Sequence, residues 1–234
     1  MAAPLVLLPG LICDQRIFSS QLETFNAFAV NGFGLHSSIP EMASYVLRNA
    51  PARMSLLGHS MGARVALEVY RSAPERVERL ALISTGVHSV RPGEAENRFA
   101  LRDVGRRDGA AALVDRWLPP MVSAVGRADQ ALMQRLWQMC TEAGMDAFEA
   151  QITALLNRPE VESLLPTINI PTLVAVGELD IWSPPAQHQA IATAIPHAIL
   201  RIISGAGHML PAEAPEALNK IISEWLLLHI SRDG

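Results

Sequence analysis

The feature that most constrains this chain is a serine flanked by two glycines, Gly58-His59-Ser60-Met61-Gly62, where two differently patterned segments meet. The residues before it, Met54 to Leu57, form an apolar run that predicts a buried strand, and Ala63 to Tyr70 have helical apolar spacing. A strand that turns directly into a helix strains the residue at the apex, and flanking glycines leave room for the turn. The segment therefore predicts a strand, a tight turn and a helix. The Ser60 hydroxyl is expected to project beyond the sheet at the positive end of the helix dipole.

The rest of the chain alternates short apolar runs with segments of helical periodicity. Strands are predicted at Leu5–Leu8, Arg79–Ser84, Thr172–Gly177 and Ala198–Ile203, with Phe28–Val30 as a weak candidate, and helices at Gln15–Phe28, Ile39–Asn49, Pro185–Ile195 and Pro215–His229. Strands that alternate with helices imply right-handed crossovers and a mostly parallel sheet. We therefore expect an α/β fold with a core built from residues 1–86 and 168–234. Residues 87–167 contain no convincing strand and are expected to form a helical cap insertion.

Size and composition exclude several classes of function. A chain of 234 residues can bury one substantial core, and its net charge of −4 offers no basic surface for nucleic acid. Cys13 and Cys140 have no metal-binding spacing and are expected to be free thiols in a reducing compartment. The N-terminal apolar run lacks the features of a signal peptide, and Lys220 and Glu224 interrupt the C-terminal one. We therefore expect a cytoplasmic protein with no membrane partner and no metal.

Two polar residues follow later predicted strands, where they would support Ser60. A serine hydroxyl needs a base within hydrogen-bonding distance, and the base needs a group that fixes its tautomer. Asp180 comes just after the strand that ends at Gly177, and His208 follows the strand that ends at Ile203, in a glycine-rich loop. Because the carboxyl ends of parallel strands open on one edge of the sheet, Ser60, Asp180 and His208 are predicted to meet there as a catalytic triad.

Each member of this set has an alternative interpretation. Asp180 alone is equally typical of a helix cap, and His208 alone of a solvated loop histidine. Asp103 in the insertion is a weaker candidate for the acid. The competing histidines, none of which combines a strand end with flanking glycines, are His36, His59, His88, His188, His197 and His229. Of these, His59 is expected to shape the turn around Ser60, and His88 to lie near the site.

The site also needs donors for an oxyanion. Two backbone N–H groups must point to the place where negative charge develops. Met61, at the start of the helix after the serine, is expected to supply one. The loop after the first strand, Pro9-Gly10-Leu11-Ile12, is expected to supply the other through the Leu11 N–H, because Gly10 lets the backbone turn. A plain turn is the alternative interpretation of Pro9-Gly10.

Five segments together resemble the α/β-hydrolase fold family, in its small, single-domain bacterial type. They are Leu-Leu-Pro-Gly-Leu at 7–11, Gly-His-Ser-Met-Gly-Ala at 58–63, residues 74–83, residues 171–180 and Gly-Ala-Gly-His at 205–208. The resemblance covers nearly the whole chain except the cap, which varies within that family. Two departures stand out. The usual His-Gly of the oxyanion loop is Pro-Gly here, and the chain starts at the family's third strand, so the leading hairpin is expected to be missing or reduced.

The resemblance implies acyl transfer to water without a metal or an organic cofactor. Ser60 would attack an ester carbonyl, His208 would carry the proton to the leaving alcohol, and Asp180 would orient the imidazole. The substrate is expected to be a small, largely apolar carboxylic ester, with thioesters and lactones included. Trp182 is expected to line the pocket. Arg158 is expected to be solvated, and contact with an anionic substrate is the alternative interpretation.

Two other functions remain open at this stage. A cofactor-free lyase on the same triad, similar to relatives of the menaquinone-pathway synthase, is compatible with Gly-His-Ser-Met-Gly-Ala-Arg at 58–64. A basic cluster inside the pocket would favour that alternative, and Arg64 is its only indication in the sequence. The third alternative is a non-catalytic binding protein on a hydrolase fold. The intact set of Ser60, Asp180 and His208 argues against it.

Overall fold

The computed structural model describes residues 3–228, which contain one six-stranded sheet. Its strands are β1 (Leu5–Leu8), β2 (Ala27–Ala29), β3 (Met54–His59), β4 (Val77–Ile83), β5 (Thr172–Gly177) and β6 (Ile199–Ile203). They lie in the order β2-β1-β3-β4-β5-β6, and each neighbouring pair is parallel. This arrangement confirms the predicted α/β fold with a parallel sheet. It also places the carboxyl ends of β3, β5 and β6 on one edge.

Helices cover both faces of this sheet and form the insertion. They are α1 (Ser19–Thr24), α2 (Ile39–Asn49), α3 (Met61–Ser72), α4 (Glu94–Asp108), α5 (Ala110–Trp117), α6 (Ala124–Ala128), α7 (Gln130–Leu156), α8 (Pro185–Ala194), α9 (Leu210–Glu213) and α10 (Pro215–Leu226). The four helices α4 to α7 all lie between β4 and β5, as predicted for a helical insertion. Helix α7 bends at Gly144, whose φ of 80° lies in the left-handed region.

Residues 15–28 differ from the single helix that their periodicity predicts. Gln15–Phe18 form a 3₁₀ turn, which Asp14 caps by accepting a hydrogen bond from the Arg16 N–H, and α1 has only six residues. The chain then extends into β2, which pairs with Leu5–Leu7 of β1. Sheet pairing prevails over helix propensity here because it satisfies backbone groups of both strands. The other predicted elements that lie wholly within the described residues agree with the structure to within two residues.

Helix α3, which follows Ser60, is more deeply buried than its one-sided apolar pattern predicts. All residues from Met61 to Tyr70 are buried, including Arg64 and Glu68. The helix packs on the central strands of the sheet, and α2 packs along its side. Parallel sheets are ordinarily covered in this way on both faces, which explains why their strands are almost wholly apolar. The start of α3 is therefore held firmly against the end of β3.

The C-terminal helix and the two cysteines were also predicted from the sequence. Helix α10 ends at Leu226, and the predicted end at His229 lies outside the described residues. Cys13 and Cys140 are both buried and form no disulfide. Within residues 3–228, no helix combines the length and the apolar content that a membrane span needs.

Candidate active site

Ser60 occupies the tight turn between β3 and α3. Its φ of 55° and ψ of −116° lie outside the regions that L-residues ordinarily adopt, so the turn is strained. A Cβ on Gly62 would lie 2.1 Å from the Leu8 carbonyl oxygen of β1, and a Cβ on Gly58 would lie 2.3 Å from the Gly62 carbonyl oxygen. Only glycine fits at both positions, because each collision would be with rigid backbone.

The structure brings together the three residues that the sequence predicts to meet. His208 Nε2 lies 2.9 Å from Ser60 Oγ, and His208 Nδ1 lies 2.8 Å from Asp180 Oδ2. Both partners of the histidine–carboxylate pair are enclosed, with side chains 7% and 0% exposed for His208 and Asp180. The three residues follow β3, β5 and β6 on the edge of the sheet where those strands end. They form a continuous hydrogen-bonded chain from a hydroxyl to a buried carboxylate.

Hydrogen bonds keep the Asp180 carboxylate ionised. The other oxygen, Oδ1, accepts from the Trp182 and Ser183 N–H groups, each at 2.9 Å, and the Ser183 hydroxyl donates to Oδ2 at 2.8 Å. Burial by itself would raise the Asp180 pKa, but His208 and the Ser183 hydrogen bonds outweigh it and lower that pKa. An ionised Asp180 can only accept, so the proton of a neutral His208 lies on Nδ1. Nε2 is then free to accept from the Ser60 hydroxyl.

The loop that carries His208 is fixed by a carboxylate and by a carbonyl of the insertion. The His208 N–H donates to the Met121 carbonyl oxygen at 2.9 Å. The Glu213 carboxylate accepts from three backbone N–H groups, those of Ser123 at 2.8 Å, Gly207 at 3.0 Å and Met209 at 3.0 Å. Sequence reasoning missed Glu213, although its place five residues after His208 was the available signal. Sequence reasoning also missed Ser183, which lies three residues after Asp180 and donates two hydrogen bonds to it.

Within residues 3–228, the competing histidines and Asp103 do not bond to Ser60 Oγ. The His59 ring lies under the loop of His208 and donates from Nε2 to the His208 carbonyl oxygen at 2.8 Å. Burial and the neighbouring His208 lower the His59 pKa to about 3, so His59 stays neutral. His188 is also buried and accepts from the Thr85 N–H. His88 lines the cavity described below, whereas His197 does not, and His36 bonds to the Phe33 carbonyl oxygen. Asp103 pairs with Arg102 at the surface, and His229 lies outside the described residues.

The two predicted oxyanion donors border the same cavity as Ser60. Leu11 and Met61 are both on its lining. Within the described part of the chain, neither N–H has a hydrogen-bond acceptor. Leu11 belongs to a loop of residues Pro9–Cys13, here called the 9–13 loop, in which the Cys13 N–H donates to the Gly10 carbonyl oxygen at 3.2 Å. Both N–H groups are therefore available to a ligand beside the hydroxyl.

Apolar side chains form much of the wall of this cavity, which has a volume of about 120 Å³. Trp182, which follows β5, is one of them. The others are Met61 at the start of α3, Leu11 from the 9–13 loop, and Trp117, Met121 and Leu155 from the insertion. A second cavity of about 380 Å³ shares walls with the first, among them Trp117 and Trp182. The cavity next to Ser60 is therefore small and adjoins a larger one.

Charged residues also line this cavity, and one prediction about them is wrong. The lining includes Arg64, Arg98, Arg158 and Glu94. The Arg158 side chain is only 2% exposed and donates to the two Glu94 carboxylate oxygens at 2.6 and 2.8 Å. The expected solvated arginine is thus enclosed, because Glu94 at the start of α4 and nearby carbonyl groups surround its guanidinium. Arg98 also donates to Glu94, at 3.0 Å, and Arg64 donates to the His88 carbonyl oxygen at 2.7 Å.

The charges of this group do not cancel. The lining of the cavity carries three guanidiniums and one carboxylate, an excess of two positive charges, although Glu162 outside the lining also acts on Arg64. Burial, helped by Arg158, lowers the Arg64 pKa to about 9, so Arg64 is still protonated at neutral pH. Burial alone would raise the Glu94 pKa, but hydrogen bonds from Arg158 and Arg98 lower it to about 2. Sequence reasoning considered Arg64 but missed Arg98 and Glu94, because α4 is mostly polar and its pattern does not indicate that it faces a cavity.

No metal site accompanies these residues in the part of the chain that the structure describes. Residues 3–228 contain no group of three or more His, Cys, Asp or Glu side chains arranged to hold an ion.

Comparison with known proteins gives this architecture a family. A family model described as the alpha/beta hydrolase family matches residues 5–221. A Bacillus subtilis protein provisionally named 2-succinyl-6-hydroxy-2,4-cyclohexadiene-1-carboxylate synthase is 29% identical over 181 residues. Those residues are 74% of this chain and 66% of that protein, just under two thirds of its length. A Yersinia enterocolitica protein provisionally named a carbamate hydrolase is 26% identical over 202 residues, which are 85% of this chain and 72% of that protein.

The fold is also found among solved structures. A thermophilic esterase from Thermogutta terrifontis, solved with malate bound, superposes with a TM-score of 0.88 at 27% identity. The superposition covers 97% of this chain and 90% of the esterase chain. The family model spans every strand of the sheet and the segments that carry Ser60, Asp180 and His208. The chain belongs to the alpha/beta hydrolase family, as the resemblance of its sequence motifs indicated.

Proposed function

We propose that this protein is a serine hydrolase that cleaves a carboxylic ester of a small substrate through an acyl-enzyme on Ser60. The observation that carries the proposal is the hydrogen-bonded chain of Ser60, His208 and Asp180, with separations of 2.9 and 2.8 Å. A base that contacts a hydroxyl and is itself oriented by a buried carboxylate is the arrangement that activates serine as a nucleophile. The solved relative from Thermogutta terrifontis is an esterase, which supports the same reaction.

The proposed reaction begins when His208 Nε2 takes the Ser60 proton as the hydroxyl oxygen attacks the ester carbonyl. Asp180 stays ionised and stabilises the imidazolium. The N–H groups of Leu11 and Met61 donate to the oxyanion, and one such donor contributes about 3 to 4 kcal/mol of transition-state stabilisation. His208 then gives its proton to the leaving alcohol. Water, activated by the same histidine, attacks the acyl-enzyme and releases the acid.

We assign residues 87–167 the role of a cap on a hydrolase core formed by residues 1–86 and 168–234. The core carries the proposed nucleophile, base and acid. Trp117, Met121 and Leu155 support the assignment, because they lie in the insertion and yet line the cavity of Ser60. The cap would then decide which acyl and alcohol groups fit.

The cavity lining favours an ester that also carries a carboxylate over a wholly apolar one. Three guanidiniums and only one carboxylate line the same cavity as the nucleophile. Guanidinium groups bind carboxylates through paired hydrogen bonds, and these hydrogen bonds are stronger where water is excluded. Malate, the molecule bound in the Thermogutta terrifontis esterase, is a dicarboxylate, which is compatible with this preference.

Hydrolysis of two chromogenic esters tests the proposal. The native protein is expected to hydrolyse p-nitrophenyl acetate, and to prefer the p-nitrophenyl monoester of succinic acid, which retains a free carboxylate. Ser60→Ala should abolish both activities. Ser204→Ala, which changes an exposed serine after β6, is the matched control and should leave both unchanged. Retained activity in Ser60→Ala would end the covalent mechanism.

A cofactor-free lyase on the same residues is the second candidate, and the arginine cluster favours it. In such a reaction the Ser60–His208 pair removes a proton from carbon, and the electrons expel a leaving group without an acyl-enzyme. The Bacillus subtilis relative is provisionally named a synthase, and Arg64, Arg98 and Arg158 would hold an anionic substrate for either reaction.

Two measurements separate the candidates. Mass spectrometry of protein quenched during ester turnover should find an acyl group on Ser60 if the protein is a hydrolase. Turnover in ¹⁸O-water should place the label in the acid product.

The preference for an anionic ester has a test of its own. Arg158→Met should raise KM for the anionic ester about tenfold or more, and should affect the neutral ester less, because a charge-assisted hydrogen bond is worth roughly 1.5 to 3 kcal/mol.

A further inference from the structure

One side chain of the insertion, Gln151 on α7, holds the 9–13 loop. It is 2% exposed. Its Oε1 accepts a hydrogen bond from the Ile12 N–H at 2.7 Å, and its Nε2 donates to the Gly34 carbonyl oxygen at 3.1 Å. These bonds join α7 to the loops that follow β1 and β2. A buried amide with two backbone partners has little freedom, so it constrains the peptide groups that it binds.

The backbone of Ile12 needs such a constraint. Residues 10–13 form a turn, closed by the hydrogen bond from Cys13 to Gly10, and Ile12 is its third residue. Ile12 has a φ of 47°, whereas Leu11 is not among the residues with positive φ. This is the type II pattern, in which the third position is ordinarily glycine. A β-branched residue there is strained, and the strain favours a flip of the peptide between Leu11 and Ile12.

We propose that Gln151 is a positioning residue that keeps the Leu11 N–H available to an oxyanion. The inference rests on the function proposed above. If the peptide between Leu11 and Ile12 flipped, the Leu11 carbonyl oxygen would turn toward Gln151 Oε1 and lose the hydrogen bond made by the Ile12 N–H. Two oxygens facing each other repel, so Gln151 selects the strained turn. Without Gln151, the flip would change the ψ of Leu11 and the φ of Ile12 and so replace the turn conformation that fixes the neighbouring peptide between Gly10 and Leu11. The Leu11 N–H, which belongs to that neighbouring peptide, would then lose its fixed orientation.

Other contacts of α7 with this part of the chain do not act on that peptide. Arg16 pairs with Glu142 of α7 at 2.6 Å, but both side chains are largely exposed. Cys140 of α7 lies beside Cys13 in the core. These contacts hold the segment near α7 and leave the orientation of the Ile12 N–H free. Gln151 differs from them because it bonds to the peptide next to the proposed donor.

The test compares Gln151→Met, which keeps the length of the side chain and removes the amide, with Glu142→Gln as a control on the same helix. In Gln151→Met, kcat for p-nitrophenyl acetate should fall about 10- to 100-fold with KM within about twofold, because loss of a whole oxyanion donor costs about 100- to 1,000-fold. The affinity for phenylboronic acid should fall by the same factor, because its tetrahedral adduct with Ser60 presents an oxygen to the same donors. Ile12→Gly, added to Gln151→Met, should recover most of both losses, since glycine adopts a positive φ without strain.

Unchanged kcat and boronate affinity in a folded Gln151→Met protein would overturn the inference, as would a loss that Ile12→Gly does not relieve. If Gln151→Met does not fold, amide hydrogen exchange in the native protein decides. The Ile12 amide should exchange slowly with and without phenylboronic acid, whereas the Leu11 amide should exchange slowly only when phenylboronic acid is bound. Equal exchange rates of the Leu11 amide with and without phenylboronic acid would overturn the inference. A native protein that neither hydrolyses the ester nor binds the boronate refutes the proposed function instead. Faster exchange of the Ile12 amide in Gln151→Met would then still support the hold of Gln151 on the loop, and unchanged exchange would refute it.

Discussion

Acid should destabilise this protein through His59, the histidine that lies beneath the Ser60 turn. The ring is fully enclosed, its Nε2 donates to the His208 carbonyl oxygen, and its Nδ1 has no hydrogen-bond partner in the described part of the chain. A proton added at Nδ1 would therefore be a buried charge without a partner. Burial and the nearby His208 lower the pKa of His59 from 6.5 to about 3. The unfolded chain takes up this proton below pH 6.5, and the folded protein does not.

The sign and the size of the effect follow from that difference. Where the unfolded state binds more protons, the free energy of unfolding falls as the pH falls. One pKa unit corresponds to about 1.4 kcal/mol, so lowering the pH from 6.5 to about 5 costs about 2 kcal/mol through His59. His188, whose pKa burial lowers to about 4, adds a similar loss over the same range. Together they remove a large share of the 5–15 kcal/mol that is typical for a folded domain.

Urea denaturation near neutral pH and at about pH 5 measures this loss. The native protein should lose at least about 4 kcal/mol of unfolding free energy between the two conditions, and His59→Gln should lose about 2 kcal/mol less than the native protein, because the contribution of His59 is then absent. The comparison uses the difference between the two pH values within each protein, so the packing cost of the substitution itself cancels. His59→Gln with the same pH dependence as the native protein would refute the argument that His59 is buried in its neutral form.

Three further substitutions test individual features of the site. Gly62→Ala should destabilise the protein by about 3 kcal/mol or more in thermal denaturation, because its Cβ would meet backbone of β1. Gly105→Ala, where the Cβ would meet the ends of the Met145 and Leu113 side chains and no backbone, should cost much less. Glu213→Ala leaves three backbone N–H groups without their acceptor and should cost at least about 2 kcal/mol. It should also lower kcat by moving the loop of His208, and an unchanged kcat would show that this loop is held by other contacts. Trp182→Ala should change KM for bulky esters with little loss of stability, because the indole is 45% exposed.

The placement of Ser60, Asp180 and His208 could be predicted because it depends on topology alone. Each residue follows a strand of one parallel sheet, and parallel strands end on the same edge whatever lies between them in the chain. Ser183 and Glu213 were missed because their roles depend on hydrogen bonds to backbone groups, which periodicity does not report. Arg158 was misjudged for a related reason. A single arginine after a helix is ordinarily solvated, and only the packing of α4 against this part of the chain buries it.

The contacts of the insertion argue that it does more than select substrates. Its Met121 carbonyl fixes the His208 N–H, its Gln151 side chain fixes the Ile12 N–H, and its Arg158 brings a buried positive charge into the cavity. The first two contacts act on the loops that carry the proposed base and one proposed oxyanion donor. A change in the insertion that altered the substrate pocket would therefore also change the geometry of the reaction. For this chain, residues of the cap that bond to backbone of the core should be kept when the pocket is redesigned.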